Sequence, residues 1–423
     1  MSHDRHACNE YNQLSRRRFI AWSGAASAAA AFAPAWLPRI AFARDHISGR
    51  DAIISIYLRG ASDGLTLVPP FGDPAYYTLR PTLAIAPPDA LVNPAINLNG
   101  FFGLAPAMFP LLEAYTGGDL AIVHATGSPD SSRSHFDAQR YMEVGKPADP
   151  TLFSGWLGRH VISANPADPT AVARAIGIGY QLQQTLQGGP KSLPIPDLGN
   201  YGLTGPSTSR ASRLSYLNSA YATVPDPLRS SGQNTFSTIS VLNAINFNTY
   251  VPAGGAVYTN SSFQRALKST AALLKADVGV EAVAIDKGGW DTHSNQGNIA
   301  GTMATNMTDL ATGLRAFHQD VIQQGQNVTV VVMSEFGRRA YENGTAGTDH
   351  GHGNVMFVLG RNVNGGQVYG TWPTLSSLYQ GDDLQVTTDF RDVLAEVVMR
   401  RLGNSNLSQV FPGYQPTFLG LAS

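Results

Sequence analysis

At 423 residues the chain is long enough for one large α/β domain with insertions or for two smaller ones, and outside its first residues no stretch is low-complexity. A formal net charge of −1, with no basic run carrying interleaved aromatics, excludes a general nucleic-acid binder. The single cysteine, Cys8, excludes an intrachain disulfide, and since it lies in a segment expected to be removed, later chemistry must use oxygen or nitrogen ligands and nucleophiles.

Ser15-Arg16-Arg17-Arg18-Phe19-Ile20 opens an alanine-rich run from Ala21 to Ala33, and Ala41-Phe42-Ala43 supplies small residues for cleavage. This is the layout of a twin-arginine export signal. The run has no polar face and is followed by Pro34 and Pro38, which argues against an amphipathic helix of the fold. Residues 1–43 are therefore expected to be removed, leaving 44–423 as a periplasmic or extracellular domain delivered by the twin-arginine translocation machinery. Removal takes away five of the 29 basic and two of the 30 acidic residues, leaving 24 against 28 and a formal charge of −4. No segment reaches the roughly 20 apolar residues of a membrane span.

Apolar, β-branched runs predict strands at Ala52–Leu58, Leu120–His124, Ala282–Ile285, Val328–Met333 and Val355–Leu359. Helical spacing predicts helices at Phe136–Glu143, Phe263–Ala276, Met303–Gln323 and Asp389–Arg401. The alternation implies a mostly parallel sheet covered on both faces, with ligands gathering beyond the strand carboxyl ends. Between about residues 157 and 262 the pattern weakens. Gly188–Gly205 reads as loop, and Ser207–Ala222 and Phe236–Asn246 as helices. The region is either a cap over the site or a helical elaboration of the sheet edge.

Metal-binding side chains concentrate in two late stretches: Gly289-Trp290-Asp291-Thr292-His293, and Glu335 with Asp349-His350-Gly351-His352-Gly353. Imidazole and carboxylate together suit zinc, manganese or iron, and burying so many titratable groups without an ion would be costly. Asp291 and His293 follow a predicted strand beside Gly288-Gly289. His350 and His352 are two apart with an intervening glycine, so both can address one ion. Glu335 is a ligand candidate, or a partner for Arg338 or Arg339. Asp63, in Ala61-Ser62-Asp63-Gly64 after the first strand, is a ligand candidate or an ordinary turn residue. Ser134 starts a predicted helix and is a nucleophile candidate or only a cap. His135 is a ligand, a general acid or a packed surface residue. His124, His160 and His318 stand alone and read as structural.

Phe71-Gly72-Asp73-Pro74-Ala75-Tyr76-Tyr77, Arg133-Ser134-His135-Phe136-Asp137-Ala138-Gln139, Gly289-Trp290-Asp291-Thr292-His293, Ser334-Glu335-Phe336-Gly337-Arg338 and Gly347-Thr348-Asp349-His350-Gly351-His352-Gly353 together resemble the exported bacterial family called domain of unknown function 1501. That family is grouped with the alkaline phosphatase and sulfatase superfamily. The resemblance implies a three-layer α/β/α sandwich, a site with one or two divalent ions (zinc foremost; manganese, calcium, magnesium or iron as alternatives), Asp63 as early ligand, Ser134 as nucleophile, and Asp291 and His293 as ligands. Either Glu335 fills the superfamily's Asp-His position with His350 or His352 as the later histidine, or Asp349-His350 is that pair. With no cysteine after position 8, and with Ser128-Pro129 lacking the intervening residue of the sulfatase motif, formylglycine chemistry is not expected.

The resulting expectation is a metal-dependent hydrolase of a phosphate or sulfate ester, small or glycan-linked, with His135 or His352 protonating the leaving group. The alternatives are a non-catalytic, metal-stabilised cell-envelope binding protein of the same fold, or an oxidoreductase with a His/carboxylate iron site.

Overall fold

The computed structural model describes residues 50–169, 171–226 and 228–423. The expected export signal and Cys8 lie outside the described residues. In chain order the strands of the central sheet are β1 (Ala52–Leu58), β2 (Leu120–Gly127), β3 (Ala175–Ile178), β4 (Ser192–Pro194), β5 (Ala282–Lys287), β6 (Val328–Met333), β7 (Asn354–Leu359), β8 (Gln367–Tyr369) and β9 (Thr388–Asp389). They lie in the order β8-β2-β7-β6-β1-β5-β3-β4, with β9 pairing the far end of β2. Neighbours are parallel. The exception is β7, which runs antiparallel to both β2 and β6.

The apolar strands are continuous in sequence because both sheet faces are covered. Successive side chains alternate between two cores. Ile54, Ile56, Ile122, Val283, Ile285, Val330 and Val332 face one layer, where they meet Phe263 and Leu267 of α5 (Ser262–Lys275) and Met307 and Leu310 of α6 (Thr302–Phe317). Ile53, Tyr57, Val123, Val331, Met333 and Met356 face the other. There they pack on Met142 of α1 (His135–Val144), Trp156 and Leu157 of α2 (Trp156–Ser163), and Phe390, Val393 and Val397 of α7 (Phe390–Arg400). The expected α/β/α sandwich with a mostly parallel sheet is thus present.

Ser261 caps α5 by accepting from the Gln264 amide, and Asp389 caps α7 by accepting from the Arg391 amide. Beyond α6 a π-turn, His318–Ile322, carries the predicted helix toward Gln323. Within the weakly patterned region, β3 and β4 extend the sheet edge, so the Gly188–Gly205 stretch is not loop throughout. Strands of three or four residues give too little periodicity to read, and Pro194 is tolerated at an outermost strand. Two helices follow, α3 (Arg210–Ala222) and α4 (Leu228–Ala244), the second starting eight residues earlier than its apolar pattern begins.

The reversed direction of β7 matters for the site. It puts the amino end of that strand, at Asn354, beside the carboxyl ends of β1, β2, β5 and β6. Five polar segments converge on that edge.

Candidate metal centre

The five segments are Arg59–Asp63 after β1, Ser128–Ser134 leading into α1, Gly288–His293 after β5, Ser334–Arg338 after β6, and Asp349–Gly353 before β7. Glycine lets them close in. A Cβ on Gly60, whose φ is +110°, would sit 2.7 Å from the Asp291 amide nitrogen, and one on Gly351 would sit 2.4 Å from the Arg338 carbonyl carbon.

Three imidazoles surround Asp291. His135 donates from Nδ1 to Glu335 Oε1 at 2.8 Å, His293 from Nδ1 to Asp349 Oδ1 at 2.8 Å, and His350 from Nδ1 to the Arg133 carbonyl at 2.9 Å. Each partner only accepts, so each neutral ring keeps its proton on Nδ1 and presents a lone pair at Nε2. The Nε2 atoms all face Asp291. Its Oδ1 lies 3.0 Å from His293 Nε2 and 3.2 Å from His350 Nε2, and its Oδ2 lies 3.6 Å from His135 Nε2. His293 Nε2 and His350 Nε2 are 3.0 Å apart, a distance at which both cannot carry protons. His135 Nε2 is buried without any hydrogen-bond partner. Among the described residues, His135, Asp291 and His350 form a group whose ligand atoms all lie within 4.8 Å of one another.

These four separations are close to those of neighbouring ligand atoms on one ion, and His293 stands outside the group formed by His135, Asp291 and His350. With metal–ligand bonds of about 2.0–2.1 Å, neighbouring ligand atoms lie about 3.3 Å apart. Asp291 is 41% exposed, so the cluster opens to solvent. Burial alone would raise the Asp291 carboxyl, but the three imidazoles and Arg338 hold it far below the carboxylate range. Burial disfavours charge on His135, yet the carboxylates of Asp291 and Glu335 beside it raise it to about 9. The bond to Asp291 also raises His293 against its burial, whereas burial holds His350 down.

Glu335 is fully buried. It accepts from His135, from the Gly60 amide at 2.8 Å and from Gln139 Nε2 at 2.9 Å, while Ser334 Oγ donates to its other oxygen at 3.0 Å. Its ion-pair partner is therefore His135, not Arg338 or Arg339. Asp349 stands behind His293 and also accepts from Asn343 Nδ2 at 3.1 Å. Asp63 lies apart from the imidazoles, fully buried with Arg80 Nη1 at 2.5 Å and accepting from Thr66 Oγ1 and Gln296 Nε2. Gln296 Oε1 in turn accepts from Thr292 and Thr348, so that network underlies the two histidine loops. His352 is buried and stacks on Tyr379 with ring centroids 4.7 Å apart, outside the group around Asp291. Ser134 occupies the amino cap of α1, but its hydroxyl makes no capping bond.

The three isolated histidines have structural company. His124 Nε2 lies 3.0 Å from the Val68 carbonyl, His160 Nδ1 lies 3.0 Å from Asn404 Nδ2, and His318 Nε2 lies 2.8 Å from Asp119. Sequence reasoning gave no role to Gln139, Asn343 and Gln296, of which only Gln139 stood in a quoted motif. It named Arg338 only as a partner for Glu335.

No curated protein matches this chain. Solved structures with some likeness include phosphonoacetate hydrolase from Sinorhizobium meliloti, at 10% identity and a TM-score of 0.30 over 69% of this chain, which spans 57% of that protein's length. The C-terminal periplasmic domain of EcEptC from Escherichia coli, in complex with Zn, is 12% identical with a TM-score of 0.35, covering 90% of this chain and 92% of that one. A protein of the alkaline phosphatase superfamily from Vibrio parahaemolyticus is 11% identical with a TM-score of 0.33, covering 85% and 72%. Residues 248–401, which carry Asp291, His293, Glu335, Asp349, His350 and His352, match the family described as Protein of unknown function (DUF1501), the family that the motifs of this chain resemble.

Proposed function

We propose that His135, Asp291, His293 and His350 hold a divalent metal ion and that the chain is an exported metal-dependent hydrolase of a phosphate or sulfate ester. One observation carries this reading: three rings whose Nδ1 atoms are fixed by acceptor-only partners turn three Nε2 atoms onto one carboxylate, at ligand spacing. Three nitrogens and one oxygen suit zinc foremost. Glu335 and Asp349 act in this reading as orienting partners of His135 and His293, not as ligands. His135 is a ligand, not the general acid.

When bound, the ion supplies Lewis acidity toward an ester oxygen. The chain's own residues supply the rest. Ser134 is the proposed nucleophile, since its hydroxyl is free of the cap and stands at the start of a ten-residue helix whose amide groups favour an anion. Residues 157–262 are proposed to border the substrate, a small or glycan-linked ester. Export by the twin-arginine pathway to the periplasm or beyond is proposed from residues 15–43.

The test is a screen of phosphate and sulfate esters with Ser134→Ala beside the unaltered chain. Lost turnover with metal content and melting temperature retained supports the nucleophile. Unchanged turnover removes Ser134 from the mechanism. A metal-loaded chain that turns over no ester favours a metal-stabilised binding protein.

A further inference from the structure

One buried charge at this edge is not explained by ligand binding. Arg338 is 1% exposed, and each of its three nitrogens donates to oxygen. Nε donates to the Ala61 carbonyl at 2.7 Å and Nη1 to the Thr348 carbonyl at 2.9 Å. Nη2 reaches the Gly60 carbonyl at 2.5 Å, the Trp290 carbonyl at 2.9 Å and Asp291 Oδ1 at 2.7 Å. Four carbonyls and a carboxylate, drawn from the loops after β1, after β5 and before β7, make an all-oxygen cage of the kind that hard cations occupy.

We propose that the Arg338 guanidinium is a tethered cation filling this cage in place of a second metal ion, so that the centre takes a single divalent ion whose ligand Asp291 is positioned by Arg338. This inference rests on the metal reading above. Other carboxylates nearby are already engaged: Asp63 through Oδ2 by Arg80, Thr66 and Gln296, its Oδ1 being buried without a partner, Glu335 by His135, Gln139 and the Gly60 amide, and Asp349 by His293 and Asn343. Among the described residues only one group of histidines and carboxylates converges at ligand distance. The planar fork of arginine addresses five acceptors at once, whereas a lysine ammonium has three donors on one atom and cannot.

Zinc titration of the full chain, followed by metal analysis after dialysis, is expected to give one zinc per chain, and this measurement needs no variant. Arg338→Ala is expected to weaken zinc binding about 10- to 100-fold. Millimolar guanidinium should restore the affinity, ammonium should not, and Arg338→Lys should stay weak. Two zinc ions per unaltered chain overturn the inference while leaving the metal centre standing. Unchanged zinc affinity in a folded Arg338→Ala chain overturns the positioning role. No zinc at all overturns the metal reading and this inference with it.

Discussion

The two ends of the central sheet both bury charged groups and a histidine, and they settle them in opposite ways. At the amino end, a cavity of about 150 Å³ is lined in part by Arg50, Asp51, His160 and Glu281. There Asp51 pairs with Arg401 at 2.9 Å, Glu281 pairs with Arg174 at 2.6 Å, and His160 is held by Asn404 at 3.0 Å. Each of these carboxylates meets a guanidinium. At the carboxyl end, three imidazole nitrogens crowd one carboxylate, two of them 3.0 Å apart and a third without any partner. What marks the carboxyl end is therefore several imidazoles gathered on one carboxylate in place of charges matched one to one.

Breaking the pair at the amino end should cost stability without touching metal. Glu281→Ala leaves the Arg174 guanidinium buried and unpaired, which costs about 3–5 kcal/mol. Chemical denaturation should show that loss, with zinc affinity per folded chain unchanged. Its counterpart at the other end is Glu335→Gln, which weakens the acceptor that fixes His135. Zinc affinity should fall about 10- to 100-fold, measured by competition with a chelator, with a smaller change in stability than Glu281→Ala.

Acid separates the ends further. Burial holds His160 near 3, below the ordinary histidine value of 6.5. Its folded-state pKa is depressed, so the unfolded chain binds the proton first and stability falls as pH drops below about 6.5. His160→Gln should flatten that slope in pH-dependent denaturation. At the carboxyl end, the neighbouring carboxylates raise His135 and His293, and each must release a proton to become a ligand. Zinc affinity should therefore climb with pH up to about 9 and decline steadily below it, a trend that titration calorimetry in buffers of different ionisation enthalpy would read as released protons.

Most of the sheet was legible in the sequence because buried strands are apolar throughout. The bounds of β1 and β6 match the apolar runs residue for residue. The direction of β7 was not legible, since its five apolar residues after Asn354 read the same both ways. Strands β3 and β4, the last two on one side of the sheet, were too short to leave a pattern. In the site, the residue types were readable and their roles were not. Glu335 and His135 are 200 positions apart, and only the fold shows that one holds the Nδ1 of the other. Asp63 looks like a free carboxylate until Arg80, 17 residues on, is seen lying against it. Whether a carboxylate is a ligand or a partner of a ligand depends on which ring nitrogen it meets, and spacing along the chain carries no such information.

The most direct measurement is the metal content of the chain, purified without chelator, beside an Asp291→Ala, His293→Ala variant. Near-stoichiometric divalent metal in the first and none in the second is the predicted result. A folded chain that contains no metal and takes up none on titration would contradict the account.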